Sequence, residues 1–137
     1  MLLLCSFVFL TSFITKTESP VGFSIQAAVT NNVNTGSFTS SGLSTSDGDF
    51  YEEYVFNGKK THSEVTFTFE HGTITAKTHC DITLTSISTA TGTGNWIITK
   101  GTGDYEGIKG SGTVTLEVQE IGTTNENISQ DWTGFIK

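Results

Sequence analysis

One carboxylate in this sequence is placed where it could do acid–base chemistry, that of Glu52. It lies in the alternating segment 50–57 and shares its side of that segment with Phe50 and Tyr54. If that side faces the interior, the segment puts a carboxylate among aromatic side chains, a setting typical of general acids and bases. The opposite set, which includes Tyr51, could equally be the inner one and would leave Glu52 in solvent. Glu52 is therefore the catalytic candidate of this sequence, and a weak one.

Four acidic residues near this segment could offer oxygen ligands to Ca²⁺, namely Asp47, Asp49, Glu52 and Glu53. They lack the loop spacing, with a bidentate glutamate at its end, that helix–loop–helix calcium sites use. The pattern favours a solvated loop and strand end.

The nitrogen and sulfur ligands after residue 17 are His62, His71, His79 and Cys80. Neighbouring residues of a strand point to opposite faces, so His79 and Cys80 cannot chelate one ion together. We predict no metal and no cofactor. No Gly-x-Ser-x-Gly nucleophile motif is present, and Cys80 has no second cysteine beyond Cys5 near the N-terminus to pair with.

A glycine-rich stretch, 101–110, superficially suggests a phosphate-binding loop. Such loops need a helix N-terminus directly after them, and here an alternating segment typical of a strand follows instead. We predict a tight turn between two strands, with Tyr105 folded over it. Its structural glycines are Gly101, Gly103, Gly107 and Gly110.

The elements that must position these residues are strands. Eight segments alternate apolar and polar residues, and Asn57-Gly58 predicts a two-residue hairpin turn between two of them. No segment has a helical period. We predict an all-β, eight-stranded antiparallel β-barrel, with a β-sandwich as the alternative. The predicted strands are 21–29, 37–43, 50–57, 62–70, 73–84, 95–99, 111–119 and 131–137.

The first 17 residues and the charge balance bear on location and partners. An apolar run at 2–14 is too short to span a bilayer and resembles a secretory signal, so we predict a signal peptide at 1–17 and one domain at 18–137. The expected location is secreted, periplasmic or extracellular. The chain carries a net charge of −7 and no arginine, which argues against nucleic acid and anionic membrane partners for the mature form. Asn127-Ile-Ser129 is a glycosylation sequon.

The stretch from Trp96 to Glu117 resembles the central signature of the allene oxide cyclase barrel superfamily, which includes allene oxide cyclases and dirigent proteins. The shared pattern is a Gly-[ST]-Gly-x-[aromatic]-x-Gly-[apolar]-x-Gly turn, in which Tyr105 is the aromatic and Ile108 the apolar residue. The resemblance covers about 25 residues and is closest to uncharacterised secreted members. It implies an eight-stranded barrel with an apolar cavity, often assembled as a trimer. Activity does not carry over, because the arginines that dirigent proteins use in the cavity are absent here.

Three functions stay open at this point. The first is binding of a small apolar molecule inside the barrel, with a homo-oligomer implied by the resemblance alone. The second is a dirigent- or cyclase-like catalyst that confines a reactive apolar intermediate. The third is a filled barrel that acts through its surface. The sequence favours a non-catalytic role, and the side chains expected to line a cavity are Phe23, Tyr54, Phe67, Phe69, Trp96 and Trp132.

Overall fold

A computed structural model describes residues 17–137 of the chain, so the predicted signal segment 1–17 lies outside the described residues except for Thr17. Eight strands follow one another and close into a barrel in which every neighbouring pair is antiparallel. The all-β, eight-stranded antiparallel barrel is therefore confirmed. In chain order the strands are β1 (Ser19–Thr30), β2 (Val33–Ser41), β3 (Asp47–Phe56), β4 (Lys60–Phe69), β5 (Gly72–Leu84), β6 (Ala90–Gly101), β7 (Gly110–Gln119) and β8 (Asn127–Ile136).

Strand alternation decides what lies inside the barrel. In β5, for example, Ala76 and Thr78 are buried, while Lys77 between them and His79 after them are exposed. The same alternation in β3 turns Glu52 inward. The sequence did not tell which side of this strand faces the interior, and the structure shows that it is the side of Glu52. Closure leaves no free sheet edge, which removes the aggregation hazard that an open sheet of this size would carry.

Every strand begins earlier than its sequence pattern predicted, and three of them begin four or five residues earlier. The segment 86–94 was expected to be a loop, but β6 already begins at Ala90 because Gly92 and Gly94 face inward without side chains and so hide the alternation. A Cβ on Gly94 would lie 1.9 Å from the carbonyl oxygen of His79, so only glycine fits there. β2 begins at Val33 and β8 at Asn127, both in polar segments that show no apolar alternation.

The turn that was predicted most specifically differs from expectation. Asn57 does not have positive φ; its side-chain oxygen accepts hydrogen bonds from the backbone N–H groups of Lys59 and Lys60, and Gly58 alone has positive φ. The two-residue turn with positive φ at both central positions is Asn31-Asn32, between β1 and β2. Asparagine tolerates the left-handed region better than other non-glycine residues, which explains its use there.

One end of the barrel is closed by the glycine-rich segment. A single 3₁₀ turn, Gly103–Tyr105, lies between β6 and β7 and presses the Tyr105 ring against Phe69 at 4.4 Å between centroids. Gly103 sits at a φ of +59°, and a Cβ there would lie 2.1 Å from the carbonyl oxygen of His71. We call this the closed end. No helix within residues 17–137 is long and apolar enough to cross a membrane.

Above the closed end the barrel is filled by aromatic rings in direct contact. Phe23 stacks on Phe67 at 4.4 Å, and Trp96 stacks on Trp132 at 5.6 Å. Phe67 in turn meets Trp132 edge to face at 5.1 Å. Such pairs add to the hydrophobic gain from burying large side chains. We call this packed set the aromatic core; its rings are Phe23, Phe38, Phe50, Phe67, Phe69, Trp96 and Trp132.

Candidate active or binding site at the open end

Apart from the Tyr105 hydroxyl, the buried polar side chains of the described residues lie together in one layer across the barrel. They come from five strands, β2, β3, β4, β5 and β8, and each faces the interior because it shares parity with apolar neighbours. We call them the polar layer; its members are Asn34, Glu52, Ser63, Thr78 and Gln130.

Glu52 is the centre of the polar layer. Its Oε2 accepts hydrogen bonds from Asn34 Nδ2 at 2.8 Å and from Gln130 Nε2 at 2.7 Å, and its Oε1 accepts one from the Ser63 hydroxyl at 2.6 Å. Because the Ser63 proton points at Glu52, the hydrogen bond between Ser63 and Thr78 takes its proton from Thr78. Gln130 lies on β8 and Glu52 on β3, so their hydrogen bond crosses the barrel bore.

The polar layer is also tied to the aromatic core. Trp132 Nε1 donates to Gln130 Oε1 at 2.8 Å, and these two residues of β8 point inward from successive pleats. The carboxylate is thus held through Gln130 by a tryptophan that is itself packed on three other rings. Asn34 Oδ1 is the one atom of this layer that is buried and has no hydrogen-bond partner among the described residues.

Beyond the polar layer, toward the end opposite Tyr105, the barrel opens into a pocket of about 150 Å³. Asn34 and Glu52 form part of its wall, and most of the remaining wall is aliphatic or aromatic. We call this the open-end pocket. It is lined by Val29, Asn34, Glu52, Tyr54, Phe56, Thr61, Ile82, Leu84, Ala90, Leu116, Val118, Ile121, Glu126 and Ile128.

The charged groups that line the open-end pocket are both acidic, Glu52 and Glu126. Glu126 Oε2 accepts a hydrogen bond from the backbone N–H of Gly122, while neither carboxylate has an ion-pair partner within the described residues. The pKa of Tyr54 is raised, chiefly by burial and then by the negative charges of Glu126 and Glu52. The charges of both carboxylates therefore act on the Tyr54 hydroxyl.

The six aromatic residues predicted to line a cavity all face inward, but the structure places them in two groups. Tyr54 lines the open-end pocket. The other five, Phe23, Phe67, Phe69, Trp96 and Trp132, pack against one another in the aromatic core and fill the bore instead of lining that pocket. Their size is the reason, because rings stacked from opposite walls leave no gap between them.

The remaining candidates do not come together. Of the four acidic residues considered for Ca²⁺, Glu52 is buried while Asp47, Asp49 and Glu53 are exposed on or beside the outer face. His62 and His79 face each other on the outer surface, with ring centroids 4.4 Å apart, whereas Cys80 faces inward. Within residues 17–137 no three His, Cys, Asp or Glu side chains cluster closely enough to hold a metal ion.

The glycine-rich turn and the sequon also have definite places. Gly101, Gly103, Gly107 and Gly110 lie in or beside the closed end, far along the barrel from the open-end pocket. Asn127 is exposed and begins β8, whereas the last predicted strand began at residue 131. The most distinctive motif of the sequence therefore builds the end opposite the candidate site.

Four members of the polar layer were missed as site residues: Asn34, Ser63, Thr78 and Gln130. A signal existed for three of them, because Ser63 shares parity with Val65, Thr78 with Ala76, and Gln130 with Trp132. A polar residue on the apolar side of a strand is the pattern to look for. Asn34 lies between the predicted strands 21–29 and 37–43, so the sequence pattern did not assign it to either face of a strand.

Comparison of the chain with protein-family models, with curated proteins and with solved structures found no significant match. The resemblance to the allene oxide cyclase barrel superfamily therefore stays a prediction, and the site has to be interpreted from its own geometry.

Proposed function

We propose that the protein binds one small, mainly apolar molecule in the open-end pocket. The observation that carries this proposal is the pocket itself: an apolar recess of about 150 Å³ that ends on a buried, hydrogen-bonded carboxylate. A dry cavity of that order can take a molecule of about the size of benzene. Apolar walls supply affinity, and the few polar groups at the bottom fix the orientation.

The rim supports the same function. Phe56 and Leu84 line the pocket yet are 48% and 69% exposed, so the apolar surface continues out of the barrel mouth. A ligand longer than the pocket could extend along these side chains. Export from the cell and assembly into a homo-oligomer remain predictions from the sequence and belong to this proposal.

The experiment is a matched pair of methionine substitutions, Ala90→Met and Ala28→Met. Ala90 lines the pocket, whereas Ala28 is exposed on the outer face of β1. Binding of toluene and benzyl alcohol is followed by chemical-shift changes in ¹H–¹⁵N NMR spectra. We expect Ala90→Met to weaken binding at least tenfold and Ala28→Met to leave it unchanged. Equal affinity in both variants, or no binding by the unaltered protein, would refute the proposal.

A catalytic function is the second candidate, and one observation favours it: Glu52 is a carboxylate that is 5% exposed at the bottom of an apolar pocket. Such a group can accept or deliver a proton within a confined substrate. The distinguishing measurement is mass spectrometry of a compound that co-purifies with the protein. Conversion of more than one equivalent per chain would favour catalysis, and recovery of the unchanged compound would favour binding.

A further inference from the structure

We infer that the open-end pocket selects small apolar amines, with the ligand's ammonium group placed at the Glu52 carboxylate. This inference rests on the proposed binding function and names the chemical class of the ligand. It follows from three observations: a buried carboxylate without a counter-ion, a second carboxylate in the wall, and an unused buried acceptor beside them.

The missing counter-ion is the first observation. Buried charges in proteins are normally paired with an opposite charge. Glu52 is contacted by two amides and a hydroxyl, all neutral, and no lysine or histidine of the described chain lines the pocket. A carboxylate has about four lone-pair sites, of which three are used here, so it can accept one more hydrogen bond.

The unused acceptor is the second observation. Asn34 is 2% exposed, belongs to the pocket wall, and holds its amide by donating from Nδ2 to Glu52. That hydrogen bond leaves Oδ1 buried without a partner among residues 17–137. A buried acceptor without a donor is costly unless something supplies one. An ammonium group has three N–H donors and can satisfy Asn34 and Glu52 together.

The negative electrostatic potential of the pocket is the third observation. Glu126 adds a second negative charge to the wall, and the whole chain carries a net charge of −7. Both favour a cation and oppose a carboxylate ligand. The pocket therefore has the opposite charge preference from one that takes fatty acids, in which a basic residue would meet the ligand's carboxylate.

The test compares four ligands of one shape: benzylamine, benzyl alcohol, toluene and benzoate. Dissociation constants are measured by NMR titration at pH 7 on the full chain. A charge-assisted hydrogen bond is stronger than a neutral one by enough to expect benzylamine to bind about tenfold more tightly than benzyl alcohol. Benzoate should bind more weakly than toluene. If toluene binds but benzylamine and benzoate bind equally well, the inference fails while the proposed function stands. Failure of all four refutes both.

Two variants locate the selectivity. Glu52→Gln should remove the preference for benzylamine over benzyl alcohol, whereas Glu117→Gln, which removes one charge from the exposed outer face of β7, should retain it. Should Glu52→Gln fail to fold, Glu126→Gln serves instead, and we expect it to lower the preference about two- to threefold. A preference that survives both pocket variants would overturn the assignment.

Discussion

The two halves of the barrel interior use the same strands for different purposes. Toward the closed end, stacked and edge-to-face rings fill the bore, and the Tyr105 ring covers it. Toward the open end, smaller aliphatic side chains line a pocket and a carboxylate lies at its bottom. Small barrels of eight strands are at the limit where side chains can either fill the interior or leave room for one ligand. In this barrel the closed half is filled by side chains and the open half holds a pocket.

The polar layer is the boundary between these halves, and its position explains why both can exist in one bore. Gln130 joins the Trp132 indole on one side to the Glu52 carboxylate on the other. Through Gln130 the aromatic core thus fixes the position of the carboxylate. The carboxylate itself lies outside the volume that the rings fill. Ring packing is concentrated in the closed half, and the pocket lies in the open half.

The largest expected effect comes from removing a ring of the aromatic core. Trp132 is 1% exposed and packs against Phe23, Phe67 and Trp96, so Trp132→Ala should lower the free energy of unfolding by about 3–5 kcal/mol. The matched truncation at the open end, Phe56→Ala, removes a side chain that is 48% exposed and should cost less than about 1 kcal/mol. Urea unfolding followed by circular dichroism measures both.

Similar losses for the two variants would show that the interior is not divided in this way. Trp132→Ala loses both the ring packing and the hydrogen-bond donor to Gln130. Trp132→Phe separates the two losses, because it lacks the donor but keeps an aromatic ring. It retains most of the ring packing and should lie between the unaltered protein and the alanine variant.

A smaller effect concerns Cys80, which faces the interior near the polar layer. Burial, and after it the charge of Glu52, raises the pKa of the Cys80 thiol from an ordinary value of 9.0 to about 11. Below pH 9 the thiol is protonated in both the folded and the unfolded chain and contributes no pH dependence. Between pH 9 and 11 it ionises in the unfolded chain first, so stability should fall by about 2 kcal/mol over that interval.

Urea unfolding at pH 8, 9, 10 and 11 measures this loss, with Cys80→Ala as the reference that removes the thiol. The stability of the unaltered protein relative to Cys80→Ala should fall as the pH rises. A constant difference across the series would mean that the thiol is not in the buried, acidic surroundings described here. Glu52→Gln should make this fall smaller, because it removes one of the causes of the raised pKa.

The fold was predictable from the sequence because alternation is a local signal. The alternation in segments such as 73–84 predicts which residues lie inside. Eight such segments in succession favour a closed barrel. The errors arose where the local signal was absent or was compatible with more than one turn type. Inward glycines at 92 and 94 concealed the start of β6. The Asn57-Gly58 pair does mark a turn, but only Gly58 has positive φ, so it is not the two-residue turn that was predicted.

The candidate site was only partly predictable, for a physical reason. Parity places Glu52 and Tyr54 inside, but it does not tell how far along the bore a residue lies or which residue of a distant strand it meets. Glu52 and Gln130 are separated by 78 positions in sequence, and barrel closure and strand register bring them together. Whether inward rings fill the bore or surround a cavity depends on these same distances.

The last comparison concerns two buried atoms that lack hydrogen-bond partners among the described residues, one in each half. They are Tyr105 Oη at the closed end and Asn34 Oδ1 at the open end. At the closed end we attribute the unpaired hydroxyl to packing, because the ring is held against Phe69. Tyr105→Phe should therefore keep the ring contact, remove the unsatisfied hydroxyl, and raise the free energy of unfolding by up to about 1 kcal/mol.

The same reasoning gives the opposite sign at the open end, because Asn34 also donates to Glu52. Asn34→Leu should lower the free energy of unfolding by about 1–3 kcal/mol, since the carboxylate loses a donor. It should also weaken benzylamine binding, which Tyr105→Phe should leave unchanged. Urea unfolding with and without benzylamine measures both quantities. If Tyr105→Phe weakened binding as much as Asn34→Leu, the closed half would belong to the site and the division between filling and binding would be wrong.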